Sequence, residues 1–200
     1  MKSSLIILGF FVAGLLGGWF SLLPGFLLNQ DLSRYALCAL LLLVGIGLGS
    51  DTKAWTILRD QHLRILLVPA CVIVGTLVGV GVCSLVLPGM SMRESLAVGA
   101  GFGYYSLSSL IIKEMGGSAL SVVALLSNIS REVLTFVLTP VLAKYVGKLT
   151  PIASGGATAM DTTLPVITEF SGKDYAMIAV VSGTVLTLLV PLLVPALAAG

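Results

Sequence analysis

Residues 119–143 read ALSVVALLSNISREVLTFVLTPVLA. As α-helix this exceeds the ~20 residues needed to cross a bilayer core, yet Arg131 and Glu132 sit at its centre. Ser121, Asn128, Glu132, Thr135 and Thr139 recur at steps of seven, four, three and four. That is helical spacing and gathers them into one polar stripe. Val122, Val123, Leu126, Val133, Leu134 and Val137 fill the other faces. Arg131 and Glu132 stand about 100° apart around the axis, so Arg131 borders the stripe. Each central charge costs about 2.5–3.5 kcal/mol on insertion scales. Two readings account for that cost. Either the charges line a solute pathway, or Arg131 pairs with a carboxylate and locks two helices together.

The whole chain supports a membrane setting. Of its 200 residues, 57% are hydrophobic and 10% charged, with a mean hydropathy of +1.09. Soluble domains carry about 25% charged residues, so lipid is the solvent for much of this surface. The fold expected is all-α and integral to the membrane, a single domain over residues 1–200. His62 is the only histidine, and Cys38, Cys71 and Cys83 form no CxxC pair. Neither a histidine-based metal site nor a disulfide set is expected, and no cofactor. The apolar run after Met1-Lys2 resembles a signal peptide, but no small-x-small site closes it before Pro24, so a first transmembrane helix is the expectation.

About five full spans are expected, over residues 4–23, 35–50, 65–87, 119–143 and 175–198, the last kinked or ended by Pro191 and Pro195. Residues 95–112 and 151–168 are too rich in glycine and hydroxyls for lipid-facing helices. They are expected to be re-entrant or broken, because unwound backbone survives at membrane depth only under protein or beside a wet cavity. With the N-terminus cytoplasmic and the C-terminus outside, Lys2, Lys53, Arg59, Arg64, Lys144, Lys148 and Lys173 fall inside and Arg34, Arg93 and Lys113 outside. That bias obeys the positive-inside rule.

Both glycine-rich segments carry candidate chemistry. Ala153-Ser154-Gly155-Gly156-Ala157-Thr158-Ala159-Met160-Asp161-Thr162-Thr163-Leu164-Pro165 joins flexible backbone to a carboxylate and two hydroxyls. Freed amides and a half-helix N-terminus suit a substrate carboxylate, and Asp161 with Thr162 and Thr163 suits a cation or ammonium. The alternative is an interfacial loop in which Asp161 caps a short helix. Gly99-Ala100-Gly101-Phe102-Gly103-Tyr104-Tyr105-Ser106-Leu107-Ser108-Ser109 has no preceding strand and no following lysine, so it is no phosphate loop. It suits a wet re-entrant tip or close helix packing. Asp51, after Gly45-Ile46-Gly47-Leu48-Gly49, is either a solvated helix end or a gating or proton-entry group. No GxSxG, HExxH or paired-cysteine motif occurs, so neither an enzyme nor a nucleic-acid reader is expected.

Three stretches in order, Gly101-Phe102-Gly103-Tyr104-Tyr105-Ser106-Leu107-Ser108, then Asn128 with Arg131-Glu132, then Gly155-Gly156-Ala157-Thr158-Ala159-Met160-Asp161-Thr162-Thr163-Leu164-Pro165-Val166, resemble the LysO-type lysine exporter family. The resemblance runs from about Val44-Gly45-Ile46 to Val190-Pro191. It implies export of L-lysine and its analogue thialysine across the inner membrane. It also implies intramembrane acidic residues needed for transport, a role that falls to Glu132 first, then Asp161, then Asp51. Single-chain members carry an extra N-terminal hydrophobic portion, and a split arrangement supplies it as a small protein. A partner of roughly 100 residues, about three spans at ~20 residues each with loops, is therefore expected, or else a homo-oligomer.

The expected function is secondary transport of a small basic amino acid, coupled to protons, with Glu132, Asp161, Arg131, Asn128, Thr162, Thr163 and Asp51 on the pathway. Gly101, Gly103, Tyr104, Ser106, Gly155, Gly156 and Pro165 shape the broken segments. Other readings stay open: export of another small solute, such as ornithine, arginine or a dipeptide, a passive pore, or a scaffolding subunit.

Overall fold

The computed structural model describes residues 62–86 and 89–198, with positions 13, 16–20, 42 and 46. The spans expected over 4–23 and 35–50 lie outside the described residues apart from those few positions, and Asp51 lies outside them altogether. The chain divides into two compact units, Met1–Gly49 and Ser50–Gly200. In the first, the Phe20 amide donates to Leu16 O in a helical turn.

The second unit is all helix among its described residues. In order come α1 (His62–Ser84), α2 (Met92–Gly99), α3 (Tyr105–Glu114), α4 (Ser118–Tyr145), α5 (Thr150–Gly155), the 3-10 helix Gly156–Met160, α6 (Leu164–Ser171) and α7 (Lys173–Ala198). Three of these, α1, α4 and α7, are long and apolar enough to cross a membrane. The others follow a pattern that occurs twice. A pair of short helices, interrupted by non-helical backbone, leads into one long helix: α2 and α3 before α4, then α5 and α6 before α7.

Local sequence explains these boundaries. Ser91 and Glu94 form a reciprocal capping box at the start of α2, which satisfies two otherwise orphan amides. The Glu94 carboxylate, accepting from the Ser91 amide, is held below its usual range. The cap is therefore complete at neutral pH and is lost on acidification, as the pH falls through that lowered value. Pro165 sits in the first turn of α6, where its missing N–H costs nothing. Pro191 and Pro195 do not end the last span, because α7 runs through both to Ala198. Stopping a helix in lipid exposes backbone groups that find no water, so continuing past a proline is the cheaper course.

Packing places the breaks at the centre. α3 lies on α4, α4 on α5 and α6, and the 3-10 helix on α7, which also touches α1, α2, α3 and α6. A buried cluster of Val72, Phe102, Ile112, Ala124, Leu186 and Val190 joins them. The opposite faces of the long helices expose Val74, Val78, Leu126, Leu134 and Leu188, as lipid-facing or partner-facing helices do.

The tightest point lies between the two breaks. Gly156 has φ +64, and a Cβ there would lie 2.2 Å from Phe102 O. Gly156→Ala is therefore expected to cost about 3 kcal/mol and to lower membrane abundance. Gly75→Ala, in open space on α1, is expected to be neutral or stabilising. Thermal unfolding of the detergent-purified protein checks both.

Candidate functional site

The two interrupted segments meet through backbone. The Ala157 amide donates to Phe102 O at 2.9 Å. Phe102 is fully buried and holds φ +45, while Gly103 follows at φ +98. Gly103 also approaches Gly155 O so closely that a Cβ would lie at 3.0 Å. Neither break closes without the other.

Asn128 and Arg131, one turn apart on α4, complete the crossing. Asn128 Oδ1 accepts from the Gly103 amide at 2.7 Å, and its Nδ2 donates to Ala124 O at 2.9 Å and Val98 O at 3.3 Å. Gly101 keeps this amide's space, since a Cβ there would stand 2.7 Å from Asn128 Nδ2. Arg131 donates from Nε to Ser154 O at 2.8 Å, from Nη2 to Ala153 O at 2.9 Å and from Nη1 to Thr76 Oγ1 at 3.3 Å. In a continuing helix Ala153 O would accept the Ala157 amide, but that amide is spent on Phe102. The guanidinium takes its place and sets positive charge at the negative end of α5. Among the described residues Arg131 thus locks helices together through carbonyls, not through the carboxylate pair that sequence alone allowed. Thr135 Oγ1 adds a 2.8 Å hydrogen bond with Ser154 Oγ.

The polar stripe divides in two. Ser121, Asn128, Thr135 and Thr139 are buried, whereas Glu132 is half-buried at the stripe's edge. Glu132 faces the Thr162 hydroxyl and lies within electrostatic reach of Asp161. Asp161 Oδ1 accepts from the Thr162 amide at 2.5 Å and from Thr162 Oγ1 at 3.3 Å. Asp161 does not cap α6, whose N-cap is Thr163. Tyr105 feels both carboxylates. The Thr162 amide and hydroxyl both donate to Asp161, so the pair has capacity for an added proton or cation.

The remaining candidates fall around this centre. Thr163 is buried, with its Oγ1 3.4 Å from Thr158 Oγ1, so it shapes the break. Tyr104 is half-buried and opens α3. Ser106 is exposed.

Two hollows border the second broken segment. A groove of ≈ 440 Å³ is lined by Ser127, Ser130, Arg131, Leu134, Leu138 and Ser154. A small recess beside Asp161 is lined by Tyr104, Ala157, Thr158, Met160, Asp161 and Thr187. Sequence reading passed over Thr76, Ser127, Ser130 and Thr187. Only the Gly183, Thr184, Thr187 spacing marks that last face of α7.

Comparison with known proteins shows the family. The model of the lysine exporter LysO family matches residues 8–198. The lysine exporter LysO of Escherichia coli strain K12 is 35% identical over 167 residues, covering 82% of this chain and 54% of that protein. A Haemophilus influenzae protein named "Putative lysine exporter" is 35% identical over 161 residues, 80% of each chain. The chain spans about half the length of the Escherichia coli relative. No solved structure matches it. With a family match over nearly its whole length, the chain belongs to the lysine exporter LysO family.

Proposed function

We propose that this chain is the carrier portion of an exporter that moves L-lysine, and analogues such as thialysine, out across the inner membrane in exchange for protons. The observation that carries the reading is the carboxylate pair. Glu132 and Asp161 lie within electrostatic reach of each other, beside the crossing of two broken helices, and the Thr162 hydroxyl donates to Asp161. When both acids are ionised the pair attracts a cationic amino acid, and when protonated it releases it. Antiport follows if the two loads exclude each other and the site opens to one face at a time. The N-terminus is cytoplasmic in this reading. A small hydrophobic subunit of about three spans, at ~20 residues each, supplies the portion that longer relatives carry in one chain.

Arg131 and Glu132 do different work in this mechanism, although they are neighbours. Arg131 replaces missing backbone donors at Ala153 O and Ser154 O, so its role is to hold the break. Glu132 carries the exchangeable load.

Two variants separate these roles. Efflux of labelled lysine from exporter-deficient cells making the chain with its small partner is expected to fall to background in Glu132→Gln at wild-type membrane abundance. Wild-type rate and pH dependence in that variant would remove Glu132 from the mechanism. Arg131→Met strands two carbonyls, at about 1–3 kcal/mol each. It is expected to lower abundance and thermal stability first, with export falling in proportion. Arg131→Lys keeps the charge but not the planar fork and is expected to fall between.

A further inference from the structure

The recess beside Asp161 is built from three separate elements. Tyr104 comes from the first break, Thr158, Met160 and Asp161 from the second, and Thr187 from α7. Its free volume is ≈ 10 Å³, room for about one water-sized group. Its walls are fixed. A Cβ on Gly183 would lie 2.6 Å from Met160 Cβ, so α7 presses directly on that side chain. Thr187 donates to Met160 Sδ at 3.9 Å, and Thr184 Oγ1, whose proton goes to Val180 O, lies 3.5 Å from the same sulfur.

Hydrogen-bond bookkeeping gives the lining a sign. The Thr187 proton points to Met160 Sδ, and the Thr158 proton goes to Gly155 O at 2.9 Å. Both hydroxyls are therefore left with acceptor lone pairs. Asp161 brings a carboxylate of which Oδ1 is held by Thr162. Three residues that carry such acceptors, Asp161, Thr158 and Thr187, thus line the recess together with Tyr104 and Met160. Three acceptors in a water-sized space match the three donors of a primary ammonium, which accepts nothing. A planar guanidinium, with three nitrogens and five N–H groups, is too large. A neutral hydroxyl or amide would leave the carboxylate's charge unmet.

We propose that this recess receives the side-chain ammonium of the exported amino acid, and that Met160 and Thr187 are the residues that admit a primary amine and turn away a guanidinium. The proposal rests on the lysine-export reading of the same site and adds the part of it that selects. Every amino acid has an α-ammonium, so a site that tells lysine from arginine has to read the side-chain tip. A rigid, water-sized recess does so by size and hydrogen-bond sign together.

The test compares efflux of labelled lysine and labelled arginine at matched abundance. Thr187→Val keeps the shape and removes an acceptor, so lysine efflux at low load is expected to drop about tenfold, while Thr187→Ser keeps it within about twofold of wild type. Met160→Ala widens the recess and is expected to raise arginine relative to lysine by about tenfold. Wild-type lysine efflux in Thr187→Val, or an unchanged arginine-to-lysine ratio in membrane-inserted Met160→Ala, would overturn the proposal. Thermal protection of the purified wild-type protein reads the recess independently of cargo. Protection by methylammonium and not by methylguanidinium, lost in Thr187→Val, supports it even if the cells export no lysine. In that event the export reading alone falls. Protection by sodium ion with none from methylammonium would make the recess a metal-cation site and overturn the assignment.

Discussion

Inside a bilayer every backbone N–H and C=O has to find its partner within the protein. This chain breaks two helices side by side and resolves the conflict by exchange. The Ala157 amide leaves its own helix for Phe102 O. Arg131 fills the vacated acceptors at Ala153 and Ser154, and Asn128 takes the Gly103 amide. Once these exchanges are made, Asn128 and Arg131 must stand one turn apart on α4. Gly103, Gly155 and Gly156 must lack side chains, and Asp161 is delivered to the end of the 3-10 helix, next to Glu132. The acidic centre is a by-product of satisfying the backbone.

That economy explains how differently two adjacent charges are used. Arg131 spends its donors on carbonyls at a helix end, where a guanidinium's fork suits two neighbouring oxygens. Glu132 has no such debt. About 100° further round the helix, it lies within the field of Asp161. One residue of the pair holds the break through three hydrogen bonds, and in the proposed mechanism its neighbour carries the load.

Much of this was legible in the residues. Apolar length marks α1, α4 and α7, and the density of glycine and hydroxyl residues at 99–109 and 153–165 marks the places where helix fails. The seven-four-three-four spacing on α4 puts Asn128 and Glu132 on one side of the helix. The partner of Arg131 was not legible, because carbonyl or carboxylate depends on where α5 ends, some 20 positions away. Thr187 was hidden for a related reason. A lone threonine in an apolar helix usually bonds back to its own backbone, as Thr184 does to Val180 O, and only the packing of Gly183 against Met160 brings this face of α7 to Asp161. Of the two effects expected of Pro191 and Pro195, a kink or an end, the end does not occur, since α7 runs through both to Ala198.

The hydrogen bond between Ala157 and Phe102 has a mechanical meaning as well. Phe102 is fully buried in a left-handed conformation, and its carbonyl faces a glycine with no slack. Prying the two interrupted segments apart would strand at least an amide and a carbonyl with no water to receive them, at about 1–3 kcal/mol apiece. The crossing therefore behaves as a hub. In the proposed transport cycle, helices that rock or slide would turn around it, with the alternately opening boundary at its rim.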